Sequence, residues 1–160
     1  MRNKILLGLI TAVLALSVMV SCGESGEPRD DGFLNGTWED VSYGWGNQLI
    51  MNNGSYEYSS VYSDVITPDK KGSYSISGNT LKFTPGSTYD EDDKKWYTKS
   101  QIISELNAVG ISGEAEKMYI EMIFPTTIVE YSLSDNNNTL TLQNDEDSIF
   151  GISTGEYTRK

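Results

Sequence analysis

Gly72-Ser73-Tyr74-Ser75-Ile76-Ser77-Gly78-Asn79-Thr80-Leu81-Lys82-Phe83 is the stretch that decides the fold. Tyr74 and Ile76 alternate with serines, Leu81 and Phe83 alternate with Lys82, and Gly78-Asn79 between them tolerates positive φ. That is a strand, a tight turn over Ser77-Gly78-Asn79 and a second strand, with one apolar face. The phrase has an echo in Tyr131-Ser132-Leu133-Ser134, a longer Asn-rich turn from Asp135 to Asn138, and Thr139-Leu140-Thr141-Leu142. True repetition and convergent hairpin grammar explain the echo equally well.

Working outward, the same period of two recurs at Met118, Ile120 and Met122, at Val129, Tyr131 and Leu133, and at Leu140 and Leu142. Asn52-Asn53-Gly54 is a further turn, and Gly-x-aromatic triplets at Gly36-Thr37-Trp38, Gly54-Ser55-Tyr56, Gly72-Ser73-Tyr74 and Gly155-Glu156-Tyr157 each lead into a strand. Only Ala108 and Ala115 occur after Phe33, whereas Tyr, Thr, Ser and Ile are frequent, which favours strands over a helical bundle. Runs at 36–42, 47–52, 55–62, 72–77, 80–84, 117–123, 127–134, 139–143 and 155–159 give eight or nine antiparallel strands. A meander of that size removes its exposed edges by closing into an up-and-down barrel. One segment departs from the pattern. Ile102, Ile103, Leu106 and Val109 follow helical spacing, with Ser100 as the expected cap and Gly110 as the stop, so one short helix is expected in the long insertion from Pro85 to Glu116.

The chain has 160 residues, no His and one Cys. Ser-His and Cys-His catalysis, imidazole metal sites and an intramolecular disulfide are therefore excluded. Met1 to Lys4 carry two positive charges, Ile5 to Val20 are uncharged, and Ser21 precedes Cys22, which reads as a secretory leader over 1–21. Without Arg2 and Lys4, 10 basic residues face 23 acidic ones, a net charge of −13, which argues against nucleic acid as a partner. Residues 22–32 are polar with three Gly and one Pro, a flexible tether, and 33–160 form one domain.

The leader resembles those of bacterial lipoproteins, with Met19-Val20-Ser21-Cys22 as its lipobox. The resemblance implies a lipid on Cys22, an anchor in the bacterial cell envelope, and a membrane contact made by that lipid alone. Gly23 after the cysteine favours the outer membrane or cell surface over inner-membrane retention. The opening Phe33-Leu34-Asn35-Gly36-Thr37-Trp38 resembles the start of lipocalin-like proteins, in particular the lipocalin-like domains of bacterial surface lipoproteins, which also share the phrase from Gly72 to Phe83. That resemblance implies a barrel whose floor is closed by Arg159 packed across Trp38. A mid-chain Thr-Asp-Tyr motif and a disulfide pair, both common in secreted lipocalins, are missing.

In a closed barrel the inward set would include Tyr56, Tyr58, Tyr74, Ile76, Leu81, Phe83, Met118, Ile120, Met122, Val129, Tyr131 and Leu133. Tyrosines and methionines suit a pocket for a small hydrophobic or amphipathic ligand, and they equally suit a filled interior. Trp96 and Tyr97 in the insertion are the candidate lid. The acidic clusters Asp90-Glu91-Asp92-Asp93 and Asp145-Glu146-Asp147 lack calcium-loop spacing and read as solvated loops, so neither metal nor cofactor is expected. Lone Ser and Tyr residues have no identifiable base, and the expectation is a non-catalytic protein. Its expected function is to hold a small ligand in the barrel, with the insertion from Pro85 to Glu116 closing the mouth; the alternative, with a solid barrel, is to contact a protein through exposed loops around Tyr43 and Trp45. A structural envelope lipoprotein without a specific ligand is a third reading. Tyr43-Gly44-Trp45-Gly46 reads either as such an exposed patch or as a bend that packs both rings inward.

Overall fold

A computed structural model describes residues 31–134, 136–144 and 151–160. The leader, Cys22, the tether before Asp31 and the cluster Asp145-Glu146-Asp147 lie outside the described residues. Among the described residues, nine strands and two helices follow a 3-10 turn at Asp31–Phe33. They are β1 (Gly36–Ser42), β2 (Trp45–Asn52), β3 (Ser55–Tyr62), β4 (Val65–Ser77), β5 (Thr80–Asp90), β6 (Lys95–Thr98), α1 (Lys99–Ala108), α2 (Glu114–Ile123), β7 (Thr127–Leu133), β8 (Thr139–Gln143) and β9 (Gly155–Arg159).

Every pairing is antiparallel. The order β4-β3-β2-β1-β9-β8-β7-β5 closes through a β4–β5 pairing, giving an eight-stranded up-and-down barrel with β6 as an extra strand. One edge of β5 is divided. Thr80 to Phe83 pair with β7 and complete the wall, whereas Ser87 to Asp90 pair with β6 and carry the sheet beyond it. The first three hairpin turns, at Tyr43-Gly44, Asn53-Gly54 and Ser63-Asp64, have positive φ at both central residues, the turn whose twist matches that of paired strands.

Alternate residues fill the barrel, as the period of two requires. Leu34, Trp38, Leu49, Met51, Tyr56, Tyr58, Tyr74, Leu81, Phe83, Val129, Leu140, Leu142, Ile152 and Tyr157 form one buried cluster, with Ile76, Tyr131 and Leu133 packed against it. The floor is built at the start of β1. Trp38 is fully buried and donates from its indole Nε1 to the Leu34 carbonyl at 2.8 Å.

Three expectations are corrected. Residues 117–123 are not a strand: they form α2, a second helix where one was expected. Met118, Ile120 and Met122 alternate by two, but on a helix that spacing sets Met118 and Met122 on one side and Ile120 on the other. The cap of α1 is Thr98, not Ser100. Its Oγ1 accepts from the Gln101 N–H while the Gln101 side chain accepts from the Thr98 N–H, a capping box already written in Thr98-Lys99-Ser100-Gln101. Third, Pro85 to Asp90 are not part of a loop but the outer half of β5. Gly110 does stop α1: with φ +83° it lets the Gly110 and Ile111 N–H groups bond back to the Asn107 and Leu106 carbonyls.

Candidate functional site

Aromatic rings pack against one another inside the barrel. Phe83 meets Tyr56 edge to face at 5.1 Å between ring centroids, and Tyr74 lies 6.3 Å from Phe83. Arg159 lies over the Trp38 ring at 4.4 Å and donates to the backbone carbonyls of Asn35, Phe33 and Asn137.

Higher up, the interior becomes polar. The Tyr157 hydroxyl donates to the Ser153 carbonyl at 2.9 Å, and the Ser153 N–H donates to the Tyr58 hydroxyl at 3.2 Å. Asp69 is the extra residue where β4 bulges against Tyr58 and Ser59. The Tyr56 hydroxyl is buried and has no hydrogen-bond partner among the described residues. Burial, and then the Asp69 carboxylate, push the Tyr56 phenol well above its ordinary range. Tyr157 is pushed up by burial and by the neighbouring Tyr58 phenol, and Tyr58 is raised by burial against the opposing Ser153 contact. All three phenols stay protonated at neutral pH, so they serve as hydrogen-bonding groups and not as bases.

The opposite end from Trp38 is a rim of hairpin tips. The Ser63 N–H donates to the Gly44 carbonyl at 2.7 Å, which joins the β1–β2 turn to the β3–β4 turn. Trp45 and Tyr62 are cross-strand partners with ring centroids 3.9 Å apart. By strand alternation they continue the face that carries Leu49 and Tyr58 deeper in the barrel. Val41 and Ile66 lie on the other face, in the row Val41–Gly46–Val61–Ile66. Tyr43 is fully exposed, Trp45 is 64% exposed and Tyr62 52%, with Val41, Val65 and Ile66 exposed beside them. No Lys or Arg occurs from residue 31 to residue 69.

The remaining candidates are dispersed. Trp96 packs edge-on against Tyr89 with the Lys71 ammonium 4.2 Å over its ring. Lys71 pairs with Glu57, which alternates with the inward Tyr56 and Tyr58, so Trp96 belongs to the outer face. A hollow of about 440 Å³ opens on that face beside Ile50, Asn52, Glu57, Lys71 and Ser87. Tyr97 lies on the other side of β6, its hydroxyl on Asp93 and the Lys95 ammonium 4.6 Å over its ring. Asp93 also pairs with Lys95 and takes its own backbone N–H to Asp90, so the first acidic cluster is a self-contained exposed turn. Met118 and Met122 do not line the barrel: they are exposed on α2, 65% and 48%, while Ile120 is buried against Leu106 and Phe124.

The sequence singled out Tyr43 and Trp45 but missed Tyr62, Val65 and Ile66. The signal for them is Tyr62-Ser63-Asp64-Val65, a two-residue turn between β-formers, and β4 begins there at Val65 and not at the expected residue 72. No protein-family model, no curated protein and no solved structure matches the chain. The class is therefore given by architecture alone, a closed antiparallel up-and-down β-barrel.

Proposed function

We propose that the chain is a non-catalytic, lipid-anchored binding protein of the bacterial cell envelope, which contacts a partner protein through the joined hairpin tips of its barrel. The observation that carries this reading is the exposed set Tyr43, Trp45, Tyr62 and Val65 at the joined tips, with Ile66 exposed on the outer face beside them. Large aromatic rings on a rigid edge are what protein contacts use as anchors. The same segment holds Asp40 and Asp64 and no cation, which favours a neutral or basic protein surface over anionic headgroups.

The test is site-specific photo-crosslinking in the native envelope, with p-benzoylphenylalanine at position 43 and, as a control, at position 158 on β9. A discrete crosslinked species from position 43 that disappears with Trp45→Ser is expected. The same species from both positions, or none from position 43, overturns the reading. For the anchor, Cys22→Ser should release the chain from the membrane fraction, and full retention would refute it.

A second reading keeps a small amphipathic ligand in the upper barrel. It is favoured by the buried Tyr56 hydroxyl, which has no partner among the described residues and feels the Asp69 carboxylate from within the barrel. Native mass spectrometry of the chain purified from its own envelope tests it. A stoichiometric small-molecule adduct lost in Tyr56→Phe supports the ligand, and a clean apo mass removes it.

A further inference from the structure

The helix α2 is apolar around most of its circumference. At about 100° per residue, Met118, Met122, Tyr119 and Ile123 trace one apolar arc, Glu116 separates it from Ile120 and Phe124, and Lys117, Glu121 and Glu114 occupy the rest. The Ile120 and Phe124 side is used: both pack on Leu106, with Ile102, Ile103 and Ile123 around them. The other side is open, since Tyr119, Met122 and Met118 are all exposed.

Beside the open half, α1 and α2 enclose a groove of about 230 Å³. Ile102, Leu106 and Val109 line it from α1, Tyr119 and Ile123 from α2, and Glu105 is its one charged lining residue. The two helices carry Glu105, Glu114, Glu116 and Glu121 against Lys99 and Lys117, and Lys117 already faces Glu121 at 4.0 Å. An apolar groove with flexible Met beside it and carboxylates around it has the form that accepts a basic amphipathic helix.

We propose that the α1–α2 hairpin is a docking face for a cationic amphipathic helix of a partner protein, separate from the barrel rim. Charge is what selects this occupant. A second copy of the chain would bring the same four carboxylates to the contact, and anionic lipid would meet them as well. The partner's apolar stripe would cover Tyr119, Met122 and Val109, with its Lys or Arg residues over Glu105 and Glu116.

The test titrates the full chain into a labelled Leu/Lys amphipathic peptide of about 18 residues, and into its Leu/Glu counterpart, by fluorescence anisotropy. Saturable binding of the Leu/Lys peptide is expected, about tenfold or more tighter than the Leu/Glu peptide and weakened about tenfold by Tyr119→Ser with Met122→Ser. Circular dichroism checks that the helices persist. Should that double variant unfold, Met118→Lys, at the most exposed point of the arc, must produce the weakening instead. Equal affinity for both peptides, no saturable binding, or undiminished binding to the folded variants overturns the proposal. So does a dimer in sedimentation equilibrium that Tyr119→Ser with Met122→Ser abolishes, which would give the face to a second copy.

Discussion

Arg159 and Trp38 are cross-strand partners between β9 and β1, and the guanidinium lies 4.4 Å over the indole ring. One side chain thus joins the last strand to the first while its N–H groups hold the carbonyls of Phe33, Asn35 and Asn137. The floor of the barrel depends on that fork. Arg159→Met should lower unfolding stability by about 2 to 3 kcal/mol in urea titration, from the lost cation-π contact and unsatisfied carbonyls. Arg159→Lys should recover less than half, because an ammonium cannot reach three carbonyls in different directions. Full recovery by Lys would show that charge alone matters.

Tyr56 and Tyr157 differ in a way that mutation can read. Tyr157→Phe removes the bond to the Ser153 carbonyl and should cost about 1 kcal/mol. Tyr56→Phe removes a hydroxyl that has no partner among the described residues, so stability should stay level or rise by up to about 1 kcal/mol. A destabilised Tyr56→Phe protein in chemical denaturation would mean that a bound molecule satisfies the hydroxyl.

Glu39 accepts from Gln48 at 2.8 Å and faces the Lys160 ammonium at 2.7 Å. The Lys160 ammonium chiefly, helped by the Gln48 contact, holds its carboxyl below the ordinary value of 4.5 against the opposing effect of burial. A carboxyl depressed in the folded state adds stability above its unfolded pKa and loses it as pH falls through the folded one. Lys160→Ala should therefore lower the thermal midpoint slightly at pH 7, the effect being screened at the exposed ammonium, and the difference should shrink as pH falls below the ordinary carboxylate range. A difference unchanged in acid would trace the loss to something other than Glu39.

Gly46 has no room for a side chain. A Cβ there would stand 1.8 Å from the Asp40 carbonyl oxygen and 2.6 Å from the Val41 Cα, both backbone atoms of β1. Gly46→Ala should cost about 3 kcal/mol or more, since only a shift of paired strands relieves the contact. Gly78→Ala, in a turn with open space but φ +62°, should cost only about 1 to 2 kcal/mol. Equal midpoints for the two variants in thermal unfolding would contradict this ordering.

Alternation and turn chemistry determined by themselves that this chain is a β-meander. Tyr74, Ile76, Leu81 and Phe83 reach the interior because strand geometry sends every second residue to the same side, and Gly78-Asn79 turns the chain because glycine bears the positive φ. These causes act within a few residues, so they are visible in the string. Met118, Ile120 and Met122 satisfy the same rule and yet lie on a helix, because residues two and four apart fit either period and only the packing of Ile120 against α1 selects one. Tertiary structure alone also decided what stays outside. Tyr43 and Trp45 are exposed because Gly44 and Ser63 join two tips beyond the buried cluster, and Trp96 lies on the outer face because Glu57 and Lys71, distant in sequence, meet there in register. Whether an aromatic ring serves as core or as contact surface is fixed by neighbours from other strands, and periodicity within one strand carries no record of them.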